Sequence, residues 1–381
     1  MARTLILGAG FGGLAVATEL RRLLGDDHEL VLVDRNEQFS MGLRKLWELV
    51  GHATIAEGSR SRAVLAEHGI RFLQDEVEAV DPTARAATVG GETIEADYLV
   101  VALGCEPRPD LVEGLAEHGH DVWDVAGVPA AAEALARFDG GGIVILIAGV
   151  PYTCPPAPYE CAMHVDEHLR ERGIRERSSL TVSTVQPILM PNAGRDGSAW
   201  LGEQLEARDI GFQVGRPVER IEPGRVVLAD GELEFDLLLG VPPHRVPAVV
   251  ESSGLTGEGG WVGVDKATLQ TSYPRVFALG DVTLIPLANK LPLPKAGVIA
   301  ELEGLRVAAA IAADVRSAPP PPPFDGRGMC FIEMGKAQAA LVEGAFFAEP
   351  EPQVVLAEPS PLHAEEKRRF EAERLERWFG R

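Results

Sequence analysis

The sequence predicts an α/β fold with three units, and three observations predict it. An apolar strand at the start of the chain runs into a glycine-rich turn and a helix. A second apolar strand, at residues 142–149, also ends in glycine, and five prolines at 319–323 precede a last segment with strand-like and helical patterns. Strand, glycine turn and helix in this order are typical of Rossmann-like units. We expect two such units, the first at residues 1–112 together with 256–318 and the second at residues 113–255. A small C-terminal α+β interface domain is expected at residues 324–381.

The composition excludes several classes of protein. Asp and Glu total 57 against 36 Lys and Arg, which gives a formal charge of −21, and a surface this acidic repels nucleic acid. No segment approaches the roughly 18 uninterrupted apolar residues of a membrane-spanning helix. The first apolar strand begins too close to Met1 to leave room for a signal peptide. We therefore expect a cytoplasmic or peripheral membrane protein, and four cysteines are too few for a disulfide scaffold.

The glycine turn at the start of the chain predicts a dinucleotide site. Gly8 permits the tight turn, Gly10 lets the backbone approach a pyrophosphate, and Gly13 lets the helix pack close to the strand. The helix N-terminus then offers free N–H groups to the phosphates. Asp34 ends the next apolar strand, where a carboxylate accepts hydrogen bonds from ribose hydroxyls. The alternative is an incidental glycine turn.

The equivalent loop of the second unit does not suit a nucleotide. Counting from Gly149, the second glycine position holds Pro151 and the third holds Cys154. A proline ring is bulky where the backbone should approach a phosphate, and it has no N–H to donate. Pro155 and Pro156 remove further donors. We expect this unit to have lost NAD(P)H binding by the usual route.

Cys154 precedes a helix predicted to start near Pro158, and a helix dipole stabilises a thiolate at its N-terminus. This position favours a reactive cysteine, with a packing cysteine as the alternative. Cys105 and Cys161 are interpreted as packing residues, and the sequence alone allows three pairings of the four cysteines. His164 and His168 have the helical spacing of a zinc site but no third ligand nearby, so no metal site is expected.

Two later segments decide the dinucleotide by resemblance. The strands at 97–104 and 273–281 end in Gly and in Gly-Asp, and this pair resembles the later fingerprints of flavoproteins with two dinucleotide-binding domains. The resemblance implies FAD. It implies that FAD is bound by Gly8, Gly10, Gly13, Asp34, Gly104, Asp281, Lys295 and Gly297.

Lys295 and Gly297 belong to the segment that opens a helix predicted to run to about residue 313. In the flavoproteins that the sequence resembles, this helix points its N-terminus at the flavin, and a lysine beside the flavin stabilises negative charge on it. The alternative for Lys295 is a solvated lysine in the first turn.

The segments around two cysteines resemble one family in particular. Cys-Pro-Pro-Ala-Pro-Tyr-Glu at 154–160 and Cys-Phe-Ile-Glu-Met-Gly at 330–335 are similar to sequences of sulfide:quinone oxidoreductases and flavocytochrome c sulfide dehydrogenases. The resemblance implies a redox-active disulfide between Cys154 and Cys330. Hydrosulfide, or a related small thiol or persulfide, would attack it, and two electrons would pass through FAD to a quinone or a cytochrome.

Two other functions stay open. One is an NAD(P)H-dependent FAD oxidoreductase similar to type II NADH dehydrogenases, and the other is a flavin electron-transfer protein with inert cysteines. The charged helix predicted at 364–381 has a sparse apolar stripe, formed by Phe370, Leu375, Trp378 and Phe379. We expect this stripe to dock onto the protein or a partner, with weak peripheral membrane contact as the alternative.

Overall fold

The computed structural model describes residues 2–257 and 259–380. Met1, Glu258 and Arg381 fall within the predicted domains and lie outside the described residues. The described chain confirms the predicted α/β class, because its two largest sheets are parallel and five-stranded and are flanked by helices. The predicted domain boundaries stay a prediction.

The first parallel sheet is assembled from both ends of the expected FAD-binding unit. Its strands in spatial order are β20 (Val276–Ala278), β9 (Tyr98–Val101), β1 (Arg3–Leu7), β2 (Glu29–Asp34) and β5 (Arg71–Gln74). Their buried runs of Val, Leu and Ile are typical of strands covered on both faces. The elements up to residue 101 are β1 (Arg3–Leu7), α1 (Phe11–Leu24), β2 (Glu29–Asp34), β3 (Gln38–Phe39), α2 (Arg44–Leu49), β4 (Arg60–Ser61), β5 (Arg71–Gln74), β6 (Val77–Asp81), β7 (Ala86–Val89), β8 (Glu92–Glu95) and β9 (Tyr98–Val101).

The second parallel sheet has the order β11-β18-β12-β13-β14. It lies within the middle of the chain, whose elements are β10 (Glu106–Pro107), α3 (Leu115–His118), β11 (His120–Asp121), α4 (Val128–Arg137), β12 (Gly141–Ile147), α5 (Ala157–Glu171), β13 (Ser178–Thr184), α6 (Gly194–Glu206), β14 (Gly211–Gln213), β15 (Val218–Glu222), β16 (Arg225–Leu228), β17 (Gly231–Glu234), β18 (Leu237–Val241), β19 (His244–Arg245) and α7 (Ala248–Glu251).

The last third of the chain returns to the first sheet and then forms an antiparallel sheet covered by a helix. The strand that returns lies beside β9 in parallel. The elements are β20 (Val276–Ala278), α8 (Gly297–Val315), β21 (Arg327–Glu333), β22 (Ala339–Ala345), β23 (Gln353–Leu356) and α9 (Pro361–Phe379). Among the described residues, no helix is long and apolar enough to cross a bilayer.

Helix α9 docks onto the protein through the predicted apolar stripe. Leu375, Trp378 and Phe379 are buried in one core cluster with Phe39, and the Trp378 ring meets the edge of Phe11 at 5.2 Å between centroids. The expected docking is therefore what the structure has. The large side chains of the stripe are packed against the first unit, and weak peripheral membrane contact stays a prediction.

Helices α1 and α8 pack closely because glycines face each other. A Cβ added to Gly304 would lie 2.6 Å from the carbonyl oxygen of Gly12 and 3.0 Å from the Cβ of Ala15. This approach brings the N-terminal ends of both helices to the carboxyl edge of the first sheet, where ligands bind in open α/β folds.

Next to Gly304, the Glu303 side chain of α8 holds the turn after β20. It is 1% exposed, and its carboxylate accepts a hydrogen bond of 2.6 Å from the backbone N–H of Gly280. Burial raises the pKa of Glu303 from the ordinary 4.5 to about 8, because the charged form loses solvation.

We expect Gly304→Ala to lower the free energy of unfolding by about 1–3 kcal/mol, because the added methyl forces the two helices apart. Helix propensity alone would favour alanine by about 1 kcal/mol, so a loss reports on the helix contact. Urea unfolding of the holoprotein measures it. Gly263→Ala is the control, since an added Cβ there meets nothing within 4 Å. Equal stability of both variants and wild type would contradict the packing role.

We expect Glu303→Gln to gain stability relative to wild type as the pH rises. The folded state of wild type holds a proton on Glu303 up to about pH 8, whereas the unfolded chain releases it near 4.5. The stability that this group contributes is thus fully present below about pH 4.5 and is lost by the time the pH has risen through about 8. The loss is about 1.4 kcal/mol for each unit of difference between the folded and unfolded pKa. Thermal unfolding midpoints of both proteins between about pH 5 and about pH 9 measure the effect. A difference in unfolding midpoint between the two proteins that does not change with pH would contradict this expectation.

Candidate active site

The glycine turn after β1 has the geometry that close approach of a pyrophosphate needs. Gly8 has φ +97°, and a Cβ there would lie 2.3 Å from the carbonyl oxygen of Ala102. A Cβ on Gly13 would lie 1.8 Å from the carbonyl oxygen of Gly8, whereas Gly10 faces open space with nothing within 4 Å. Side chains are thus excluded where helix and strand meet, and the backbone at Gly10 is accessible to a ligand.

Asp34 lies at the end of β2 beside this turn. Its carboxylate accepts hydrogen bonds from the backbone N–H groups of Ala9 at 2.8 Å and Asn36 at 2.9 Å. The guanidinium of Arg62 lies 3.6 Å away. Asp34 lines a cavity of about 1140 Å³ together with Gly10 and Gly104. Its place is compatible with the predicted contact to a ribose.

Asp281 and Lys295 lie at the other end of the predicted cofactor site. One carboxylate oxygen of Asp281 is buried and has no hydrogen-bond partner among the described residues, and burial raises the pKa of Asp281. The ammonium of Lys295 donates to the carbonyl oxygens of Asp281 and Thr283, both at 2.7 Å, and lies 3.6 Å from the ring centroid of Trp261. Lys295 is 5% exposed, so the alternative of a solvated lysine is wrong.

These residues line a second cavity, of about 1320 Å³, which adjoins the first at Gly10 and Arg62. Gly297 begins α8 at its wall, where an added Cβ would lie 2.9 Å from the Phe11 ring. The two adjoining spaces, the open backbone at Gly10 and the unpartnered oxygen of Asp281 together fit an elongated dinucleotide. Of the eight predicted cofactor residues, Gly8, Asp34 and Gly104 line only the first cavity. Asp281, Lys295 and Gly297 line the second, and Gly10 borders both. Gly13 packs behind the turn.

The structure brings Cys154 and Cys330 together. Cys154 precedes α5 with φ +55°, and its backbone N–H donates to the carbonyl oxygen of Lys295 at 2.7 Å. Cys330 lies in β21 opposite Val342. Both line the second cavity. Each thiol shifts the pKa of the other, and all four cysteines of the chain are thiols in this structure.

The electrostatics of the pair differ from the sequence prediction. The hydrogen bond with Cys330 and burial raise the pKa of Cys154, and the Glu160 carboxylate adds to this. The same hydrogen bond lowers the pKa of Cys330. The expected lowering of the Cys154 pKa by the dipole of α5 is therefore outweighed by burial and by the neighbouring thiol.

The remaining cysteines do not join this pair. Cys161 is fully buried in α5, and burial raises its pKa to about 12. Cys105 follows β9 at the first cavity, where burial raises its pKa strongly. Both fit the packing interpretation. His164 does not face His168 across an open site, because its Nε2 atom pairs with Glu333 at 3.0 Å.

A buried polar network lies behind the two thiols. The Lys367 ammonium donates to Glu160 at 2.5 Å and to Glu333 at 3.0 Å, and the indole N–H of Trp47 donates to Glu333 at 2.9 Å. The two carboxylates hold the pKa of Lys367 far above its usual range, and Lys367 and His164 hold that of Glu333 far below.

Sequence reasoning missed most of this network. Glu160 stood in the quoted Pro-Tyr-Glu segment without a role. Glu333 falls three residues after Cys330, so strand alternation places it on the opposite face from the thiol. Lys367 carries no local signal within its highly charged helix.

The loop after β12 runs toward the first unit instead of forming a phosphate cradle. The Val150–Pro151 bond is cis, and the carbonyl oxygen of Pro151 accepts a hydrogen bond from the backbone N–H of His244 at 2.8 Å. A Cβ on Gly149 would lie 2.8 Å from the ring of Pro243. A side chain is thus excluded at Gly149 as it is at Gly8, and the loss of NAD(P)H binding stays a prediction.

Comparisons with known proteins agree with this arrangement. The family model described as pyridine nucleotide-disulphide oxidoreductase matches residues 2–304. The sulfide-quinone reductase of Aquifex aeolicus is 28% identical over 91% of this chain and 83% of its own length. The mitochondrial sulfide:quinone oxidoreductase of Mus musculus is 25% identical over 91% and 78%.

The crystal structure of the Aquifex aeolicus sulfide:quinone oxidoreductase superposes with a TM-score of 0.89, at 25% identity, over 100% of this chain and 92% of that one. A type II NADH:quinone oxidoreductase of Staphylococcus aureus is also similar, at 25% identity over 80% of this chain and 81% of its own length. The resemblance drawn from the cysteine segments is confirmed. The chain belongs to the pyridine nucleotide-disulphide oxidoreductase family and is an FAD-dependent oxidoreductase.

Proposed function

We propose that the protein oxidises hydrosulfide with a quinone as electron acceptor, through a redox disulfide of Cys154 and Cys330. The observation that carries the proposal is the contact between these two thiols in the wall of the cavity that Lys295 and Asp281 also line. The named activities of the relatives from Aquifex aeolicus and Mus musculus support a sulfide substrate and a quinone. A quinone is therefore proposed ahead of a cytochrome.

The sulfur chemistry needs only the two side chains and hydrosulfide. In the oxidised pair, the hydrosulfide sulfur attacks one sulfur of the disulfide and the S–S bond breaks. One cysteine then carries a persulfide and the other is a thiolate, so the two electrons of the broken bond stay on the second sulfur. Bound FAD supplies a two-electron carrier between the sulfur pair and the quinone.

The surroundings of the pair suit a small, weakly hydrated sulfur substrate. Cys154 and Cys330 also border an apolar cavity of about 540 Å³ on another side. Its wall is almost free of polar groups and is formed by Pro155, Pro156, Met190, Asn192, Ala193, Pro294, Ala296, Val298, Ile299, Gly328, Met329, Val342, Gly344, Phe346 and Val354. A charged organic thiol or a nicotinamide dinucleotide would lose its hydration there without gaining partners. The same cost applies to any charged species, so this side of the pair suits uncharged sulfur such as zero-valent sulfur.

The positive groups of the second cavity are placed to hold negative charge. The Lys295 ammonium is fixed by two carbonyl oxygens. Lys45, half-buried in the same wall, donates to the carbonyl oxygen of Trp123 at 2.5 Å. Burial lowers the pKa of both lysines. These two cations would bind and orient the cofactor and stabilise the negative charge that it gains on reduction.

We expect Cys154→Ser and Cys330→Ser each to slow flavin reduction by sulfide by about a hundredfold or more, because neither variant can form the disulfide that hydrosulfide attacks. Both variants should keep bound FAD. Anaerobic stopped-flow mixing with sulfide, followed at the flavin absorbance band, measures the rate.

Cys161→Ala is the matched control, because Cys161 lies outside both cavities, and it should bleach as wild type does. Equal bleaching in all four proteins would overturn the disulfide. Rapid bleaching of wild type by NADH, with none by sulfide, would favour the NADH dehydrogenase alternative.

We expect the protein oxidised by air to show two free thiols after denaturation without reductant, and four after reduction. Cys105 and Cys161 are the two expected to stay free, since burial raises the pKa of each thiol and so disfavours oxidation. Ellman titration of the denatured protein counts them. Four thiols before reduction would support the alternative in which the cysteines are inert.

A further inference from the structure

The proposed reaction must draw a proton from solvent. Oxidation of hydrosulfide by a quinone balances as HS⁻ + Q + H⁺ → S⁰ + QH₂, in which two electrons and one proton leave the hydrosulfide and a second proton comes from outside. Lys295 is buried and the two thiols are half-buried in the wall of the cavity where this happens. Polar groups of the chain that border this cavity can supply a route for that proton, and this inference rests on the proposed function.

The network behind the thiols begins at the cavity. Glu160 and Lys367 both line it together with Cys154. One oxygen of Glu160 accepts from the Lys367 ammonium at 2.5 Å, and a second proton of that ammonium goes to Glu333 at 3.0 Å. The inner end of the network is therefore continuous from the cavity wall to Glu333.

The outer end of the network reaches the protein surface. The carboxylate of Glu333 pairs with Nε2 of His164 at 3.0 Å. The other ring nitrogen of His164, Nδ1, is buried without a hydrogen-bond partner in the described part of the chain. The ring of His52 lies beside that of His164 at 6.0 Å between centroids. The His52 side chain is 38% exposed, and its Nε2 is 4.0 Å from Glu171.

We propose that Glu160, Lys367, Glu333 and His164 form a proton relay that connects the active-site cavity to solvent at His52. Lys367 gives one proton to Glu160, and it regains one from His164 through the Glu333 carboxylate. His164 is reprotonated from His52, through a water molecule between the two rings. The sum of these transfers is one proton moved from solvent to Glu160. Lys367, Glu333 and His52 return to their starting states, and His164 does so once its remaining proton moves from Nδ1 back to Nε2.

The geometry favours a relay over a purely structural network. Anchoring of α9 needs only Lys367 and its two carboxylates, whereas the row of contacts continues through Glu333 to His164. The Nδ1 atom of His164 is buried and has no hydrogen-bond partner among the described residues, and the ring of His52 is a neighbour of this imidazole. Besides the relay groups, His168 and Glu171 of α5 lie near these rings.

The test separates proton uptake from electron transfer. Holoenzyme whose FAD has been reduced with a limiting amount of dithionite is mixed anaerobically with decylubiquinone in weakly buffered solution containing a pH indicator dye. Flavin absorbance reports oxidation, and the dye reports proton uptake. We expect His164→Gln, which keeps an N–H toward Glu333 but cannot carry a proton, to slow proton uptake by about tenfold or more.

Two further variants make the outcome decisive. His52→Ala should slow uptake in the same way, and added imidazole should restore it, because the small base replaces the exposed ring. His363→Gln is the control, because His363 pairs with Glu366 on α9 and lies outside the network. Each variant is first checked for bound FAD and for its unfolding temperature.

Uptake by His164→Gln within twofold of wild type, or failure of imidazole to restore His52→Ala, would overturn the relay. Because dithionite supplies the electrons, these results do not depend on sulfide. A failure of the proposed substrate would appear instead as unbleached flavin on mixing with sulfide, so the two failures are distinguishable.

Discussion

A buried ammonium group determines how the C-terminal part of the protein meets the rest. Lys367 of α9 is bonded to Glu160 of α5 and Glu333 of β21, and these two elements carry or adjoin the two active-site sulfurs. An unpaired ammonium cannot stay buried at acceptable cost, and removing one partner of a buried pair costs about 3–5 kcal/mol. The position of α9 and the spacing between Cys154 and Cys330 are therefore set by the same contacts.

The loop after β12 links the second unit to the first. The parallel sheet around β12 is complete, and the loop that follows it carries prolines at 151, 155 and 156. This loop reaches the first unit, where the Cys154 N–H is bonded to the Lys295 carbonyl. That bond links the sulfur to the segment that opens α8.

The parts of the fold and site that rest on local patterns could be predicted from the sequence. The turn at Gly8, the strand ends at Asp34 and Asp281, and the docking of Trp378 each follow from periodicity or from a required backbone geometry. The pairing of Cys154 with Cys330 could not be derived this way, since the two lie on different units. Only the resemblance to a family suggested it.

The missed residues show where sequence reasoning ends. Lys367 and Glu333 gain their role from meeting each other in the folded chain, and isolated charges on a helix or strand carry no sign of such a meeting. The pKa of Cys154 is likewise not set by the helix terminus that the sequence indicates. A helix dipole can be inferred from the sequence, but the burial and the hydrogen bond that outweigh it at Cys154 are properties of the tertiary structure.

The two sides of the sulfur pair differ in a way that suits the proposed chemistry. The 540 Å³ cavity is apolar, so zero-valent sulfur can remain there without water. The opposite side presents the carboxylate of Glu160 and the ammonium of Lys367, which belong to the cavity that the cofactor residues line. Sulfur and protons would then reach the same two atoms from different directions. This separation would keep the proposed proton relay polar without hydrating the sulfur. A single polar cavity that served both purposes would not keep the apolar product away from water.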